Sequence, residues 1–243
     1  MPGILASAMS PISNAPVRIP FSIRTRGALA ALGVLLFWVG IVMAAQRYPS
    51  EYDWRYMTVS RLLEADHDPA GYLWARAGIA LCGVFGFIWA TLLAQRRAAI
   101  RALQAGYFFM ACAAMLPESL LRVPKGHEML AILAFVGIWC GIVSVMFQSS
   151  VQALLRRMRG TTGRARLYAA ALVLAAMLPL VLAGTAQAYV YLEIPDLPWV
   201  SLAWRARGVP VFISFAFWEW VTCLVLSAYM VALAVTATRL KVA

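Results

Sequence analysis

Charge is scarce in this chain. Of its 243 residues, 13% are Asp, Glu, Lys or Arg, and only ten are acidic. A soluble domain carries about 25% charged residues, so an ordinary water-soluble fold is excluded. Histidine is nearly absent, with two copies and no HxxxH or HExxH spacing, which removes the common zinc-hydrolase signatures. Four cysteines are too few for a disulfide-stapled secreted module. Cys82, Cys112, Cys140 and Cys223 fall in four different apolar stretches and read as small packing residues. Glycine-rich phosphate loops, a nucleophile elbow and a fixed-period repeat are also missing.

What is present is apolar. Hydrophobic residues make up 63% of the chain and mean hydropathy is +0.78, which also excludes disorder. A hydrocarbon core of about 30 Å needs about 20 mostly apolar helical residues. Six stretches qualify, over about 27–46, 70–95, 102–121, 127–154, 167–191 and 208–237. The third is shortened by Pro117 and Glu118, and Glu219 interrupts the sixth. The predicted fold is all-α: a polytopic six-transmembrane-helix bundle spanning residues 27–238. Residues 1–26 hold four prolines and no apolar period, and read as a flexible tail. Residues 239–243 form a short C-terminus. The first apolar run exceeds the about 7–15 residues of a signal-peptide core, so cleavage is not expected.

The net charge of +11 is a topology signal. The tail, the second and fourth connections and the C-terminus hold 13 of the 21 basic residues and none of the ten acids. Basic loops stay in the cytoplasm, which puts both termini on the cytoplasmic side of an inner membrane. With no soluble domain to carry it, nucleic-acid binding is not expected.

The opposite face holds the informative residues. Its first connection, Gln46 to Ala70, is long for a simple link. Ser50 with Asp53 three residues on resembles a capping box. Tyr52, Tyr56, Val59 and Leu63 then form one helical stripe, with Arg55, Ser60, Arg61 and Glu64 away from it. This predicts a short interfacial helix that lies on the outer surface or folds into the bundle mouth. Asp68 and Pro69 then supply an N-cap and first turn for the second span. Trp54, Trp74, Trp199 and Trp204 are placed near this boundary, where indoles prefer the headgroup layer. Gly137 and Gly141 form a GxxxG pair, read as packing within the chain.

Polar side chains recur in the outer half-spans. Arg76 sits about two turns into the second helix. Glu118 closes the third helix, and His127 with Glu128 opens the fourth. Glu219 is expected about 14–17 Å down the sixth, near the bilayer midplane. A charge there costs about 2.5–3.5 kcal/mol, so it must be protonated, paired or facing internal water. Arg76, His127, Arg205 and Arg207 are the candidate partners. One reading makes Glu219 a buried pair or protonated group that fixes helix rotation; the other makes it a proton- or substrate-binding carboxylate. Trp218 and Trp220 diverge from it by about 100° and pack against lipid or neighbouring helices.

The sequence therefore favours a membrane protein that binds or moves a lipid or small molecule through an outward-facing polar cavity. The second, third, fourth and sixth helices would form it, with membrane lipids as partners. A membrane-embedded hydrolase or lipid-modifying enzyme using His127 with Glu118, Glu128 or Asp66 is the alternative; His127 and Glu128 diverge by about 100°, and neither metal nor cofactor is expected. A third reading is an accessory subunit whose outer loop docks a partner.

Tyr56-Met-Thr-Val-Ser-Arg-Leu-Leu, followed by Asp68-Pro-Ala-Gly-Tyr, resembles the first outer loop of the damage-regulated autophagy modulator (DRAM-like) superfamily. Gly126-His127-Glu128 with its alanine-rich continuation is similar to that family's fourth helix, and Trp218-Glu219-Trp220 to its acidic position in the sixth. The resemblance implies a six-span fold, involvement with membrane lipid, and Ser60, Asp68, His127 and Glu219 as the positions that matter. Arg55, Arg61, Glu64 and Asp66 depart from the pattern.

Overall fold

A computed structural model of the chain describes residues 23–93, 97–116, 126–157 and 203–236, with Leu178, Val181, Leu182, Gly184, Thr185, Ala188, Tyr189 and Leu192 as single positions. The elements are α1 (Ile23–Ala45), α2 (Tyr72–Leu92), α3 (Arg97–Met115), α4 (Gly126–Arg157), one turn α5 (Ala203–Ala206) and α6 (Phe215–Thr236). Short 3-10 segments occupy Val59–Leu63 and Val211–Ile213, and no strand occurs among the described residues. Among the described residues four stretches are long and apolar enough to cross a bilayer: Thr25–Ala45, Tyr72–Leu92, Ala98–Met115 and Phe215–Ala232. A shorter apolar stretch, Met129–Val145, lies within α4. The eight single positions, all in or beside the expected fifth span, are helical.

Packing runs in the order α4, α3, α2, α1, α6, and α6 returns to touch α4. Small residues allow this. A Cβ on Gly78 would stand 2.9 Å from the Cα of Gly40 and 2.7 Å from the carbonyl oxygen of Leu36, so α1 and α2 meet backbone to backbone. Gly137 of the GxxxG pair faces Gly106 of α3 in the same way, with 2.7 Å from its would-be Cβ to the Gly106 Cα. The pair is thus used inside the chain, as lipid-solvated helices must pack by close approach rather than by apolar burial. Leu35, Leu73, Val136 and Leu224 remain exposed on outer faces, as a hydrocarbon surrounding requires.

Two expectations fail for local reasons. The sixth helix starts at Phe215 rather than near Gly208. Gly208 takes φ +73°, Pro210 follows in an extended conformation, and the 3-10 turn delays the α-helix further. The first outer connection contains no α-helix over 50–64. Asp53 does not cap one: its carbonyl closes a turn onto the amides of Tyr56 and Met57, and its carboxylate accepts from the Arg55 amide at 3.2 Å. The expected stripe is nevertheless inside, since Tyr56, Val59 and Leu63 are buried and Tyr52 is half-buried. The segment folds into the bundle mouth, where Val59, Leu62 and Leu63 join Phe37, Ile41, Ile79 and Cys223 in one apolar cluster.

Candidate functional site

A re-entrant segment needs its backbone polar groups satisfied, because no water serves them in the interior. Here side chains of other elements do so. Glu219 lies one turn into α6, about 6 Å from the start of the helix rather than about 14–17 Å along it as expected. Its Oε2 accepts from the Val59 amide at 3.0 Å, at the head of the 3-10 turn, with the Ser60 amide alongside. At the opposite end Arg76 of α2 donates through Nε to the Leu63 carbonyl at 2.9 Å. The two side chains thus hold the two ends of one short turn, acid at the amide end and base at the carbonyl end. This is the favourable order for its dipole.

Aromatic groups fix the approach to that turn. The Tyr52 hydroxyl lies 2.9 Å from the Met57 carbonyl and 2.7 Å from that of Thr58. Burial, joined by the Glu219 carboxylate, raises its phenol far above the ordinary value and keeps it a neutral donor. Trp220 donates to the Met57 carbonyl at 3.0 Å and packs against Tyr52 and Trp38. Trp220 therefore belongs to the interior rather than to lipid, whereas Trp218 closes the preceding 3-10 turn on Phe212. Trp204 is also inside, with Tyr56 and Val209, while Trp54 and Trp74 stay exposed. Spacing alone offers no sign of these tyrosine and tryptophan roles, because their partners are backbone carbonyls of a non-helical segment.

The turn forms one wall of a partly open cavity of about 100 Å³. α1, α2, α3, α4 and α6 supply the rest through side chains such as Phe37, Ile79, Met110, Phe135 and Leu226. Among the described residues Glu219 is the one charged group in this lining, and Ser60 lies beside it. Helical spacing would turn Ser60 away from the apolar stripe; the 3-10 geometry turns it in. Asp68 is not part of the lining. It is wholly buried at the head of α2, with Oδ1 accepting from the Gly71 amide at 2.9 Å and Oδ2 without a partner among the described residues. The turn it makes places Gly71, not Asp68, at the cap of α2. Gly71 is required there, since a Cβ would run into the Asp68 carboxylate.

The remaining candidates divide. Arg205 does not serve Glu219 but pairs with Asp53 at 3.2 Å, while Arg55 grips Asp53 at 2.7 Å. Arg207 is exposed. His127 and Glu128 stand in the first turn of α4, their side chains outside the described residues, as is all of Glu118. Asp66 is exposed on the loop, and His67 pairs with Glu64 at 3.2 Å. Among the described residues no three His, Cys, Asp or Glu side chains stand close enough to hold a metal ion.

Asp53 and Asp68 are displaced in opposite directions. The Arg55 hydrogen bond, with Arg205 beyond it, holds the Asp53 carboxyl below its usual value. Burial pushes Asp68 up against the opposing Gly71 amide and Arg47 charge. A depressed acid contributes stability above its unfolded value of about 3.9, lost as pH falls through the lower folded value. A raised acid contributes below its unfolded value, and loses that contribution as pH rises through the folded one. Asp53→Asn is therefore expected to lower the melting temperature at neutral pH, by an amount that shrinks as pH drops towards about 3. Asp68→Asn, whose amide oxygen still accepts from Gly71, is expected to be neutral or stabilising at neutral pH and to lose that advantage below about pH 4. Melting curves of both variants across pH check this; parallel pH slopes would refute it.

Compared with family models, with characterised proteins and with solved structures, the chain matches none.

Proposed function

We propose that this is a six-span inner-membrane protein, both termini cytoplasmic, that binds a lipid chain end or small apolar molecule in the cavity under its re-entrant outer turn. The observation that carries the reading is the cavity itself: an apolar space among five helices whose one charged group, among the described residues, sits at the outer turn. Close-packed interiors seldom keep such space, and dry apolar cavities of about this size bind small apolar molecules. Ser60 and Glu219, two of the positions emphasised by the resemblance to the DRAM-like superfamily, both line it. The outer loop spends its apolar residues on its own bundle, which argues against a loop built to dock a partner.

Small apolar and amphipathic molecules are expected to raise the melting temperature of the protein in lipid nanodiscs. They should not do so for Ala134→Phe, which fills the cavity from the α4 side. An equal response in both proteins sinks the reading.

A further inference from the structure

The hydrogen-bonding capacity of the cavity wall narrows the ligand beyond what shape does, and the narrowing rests on the proposal that the cavity binds a molecule at all. Among the described residues three hydroxyl groups line the space, and each has already committed its proton. Ser60 donates to Thr58 Oγ1 at 2.9 Å, Ser227 to the Cys223 carbonyl at 2.8 Å, and Tyr107 to the Met230 sulfur at 3.0 Å. Their oxygen lone pairs are a different matter. Ser227 Oγ also accepts from Trp38, but the Ser60 hydroxyl oxygen acts as the donor towards Thr58 and keeps accepting capacity. The Glu219 carboxylate offers about four acceptor positions, of which the re-entrant amides use part. Cys82 and Cys223 add only weak thiol donors. As the side chains are hydrogen-bonded, the wall is rich in acceptors and poor in donors, and its one acid among the described residues is Glu219.

We infer that the cavity takes a molecule with a short apolar body and a hydrogen-bond-donating head, an alkylammonium or an alcohol, seated with that head against Glu219 and Ser60. An acyl carboxylate or a phosphate monoester brings acceptors and negative charge to a wall that can answer neither. The body is short. At about 100 Å³ the cavity is about two thirds of one that holds the six carbons of benzene, which sets the apolar part at about four carbons.

The test uses the 243-residue chain in lipid nanodiscs and three probes of equal butyl body: n-butylammonium, n-butanol and pentanoate. Ligand-observed NMR titration, with empty nanodiscs subtracted, reads the dissociation constants. Butylammonium and butanol are expected to bind, with pentanoate at least about tenfold weaker, the scale of one charge-assisted hydrogen bond. Glu219→Gln keeps an acceptor oxygen but removes the charge. It should weaken butylammonium about tenfold and leave butanol nearly unchanged. Shortening the body to propyl should cost about fourfold, one methylene of burial. Pentanoate binding as tightly as butylammonium overturns the head-group inference while leaving the cavity reading intact. Failure of all three probes to bind overturns both. The wild-type comparison decides the question even where the Gln variant does not fold.

Discussion

Gly106→Leu is expected to abolish the monodisperse folded protein, or to lower its melting temperature by more than the polar substitutions at Asp53, Asp68 or Glu219 do. The Cβ of any residue at 106 would press on the backbone of Gly137 and Ile138, which cannot rotate away as a side chain can. α3 and α4 would have to separate along their shared face. Overpacking a core costs about 1–3 kcal/mol where side chains can yield, and more where backbone is the obstacle. Gly27→Ala is the matched control, since a Cβ there meets nothing within 4 Å. Thermal unfolding and size-exclusion profiles in mild detergent read the result. A Gly106→Leu protein as stable as wild type would mean that the helices do not approach as described.

Glu219→Ala should release the re-entrant turn without unfolding the bundle. The buried Val59 amide loses its acceptor, which costs about 1–3 kcal/mol and speeds local opening about tenfold to a hundredfold. Hydrogen exchange at Val59 to Leu63 reports that opening directly, while the middle of α2 should exchange as in the wild type. Arg76→Met attacks the other end of the same turn by removing the donor to Leu63, and should loosen it less, since a carbonyl tolerates loss of a partner better than a buried amide does. Unchanged exchange at 59–63 in Glu219→Ala would show that the carboxylate does not anchor the segment.

Four of the expected spans, the first, second, third and sixth, are matched by helices among the described residues, and they are legible in the sequence because each depends on a local property, a long run of apolar residues. Arg76, Ser60 and Glu219 are legible as residues but not as a constellation. Of the alternatives open to Glu219, a direct pair with Arg76 or Arg205 gives way to two anchors on one turn, a relation that exists only once α2 and α6 stand on either side of residues 59–63. The outer segment resembles a helix in sequence and is not one for a related reason. Its apolar spacing fits a helical stripe, but Trp220 and Glu219 from α6, with the Tyr52 side chain from earlier in the segment, satisfy its carbonyls and amides, which removes the need for an internal ladder. Asp53 has the spacing of a capping residue, yet its partner Arg205 lies 152 positions away, beyond the reach of any local pattern.

By itself the amino-acid order determined the helical class of this protein and which stretches are apolar enough to cross a bilayer, since hydropathy is additive along the chain. Tertiary structure alone decided how deep Glu219 sits, which way Ser60 turns and whether a space remains beneath them. Those depend on where a proline delays one helix, how closely glycines let others approach, and which distant side chain completes each backbone hydrogen bond.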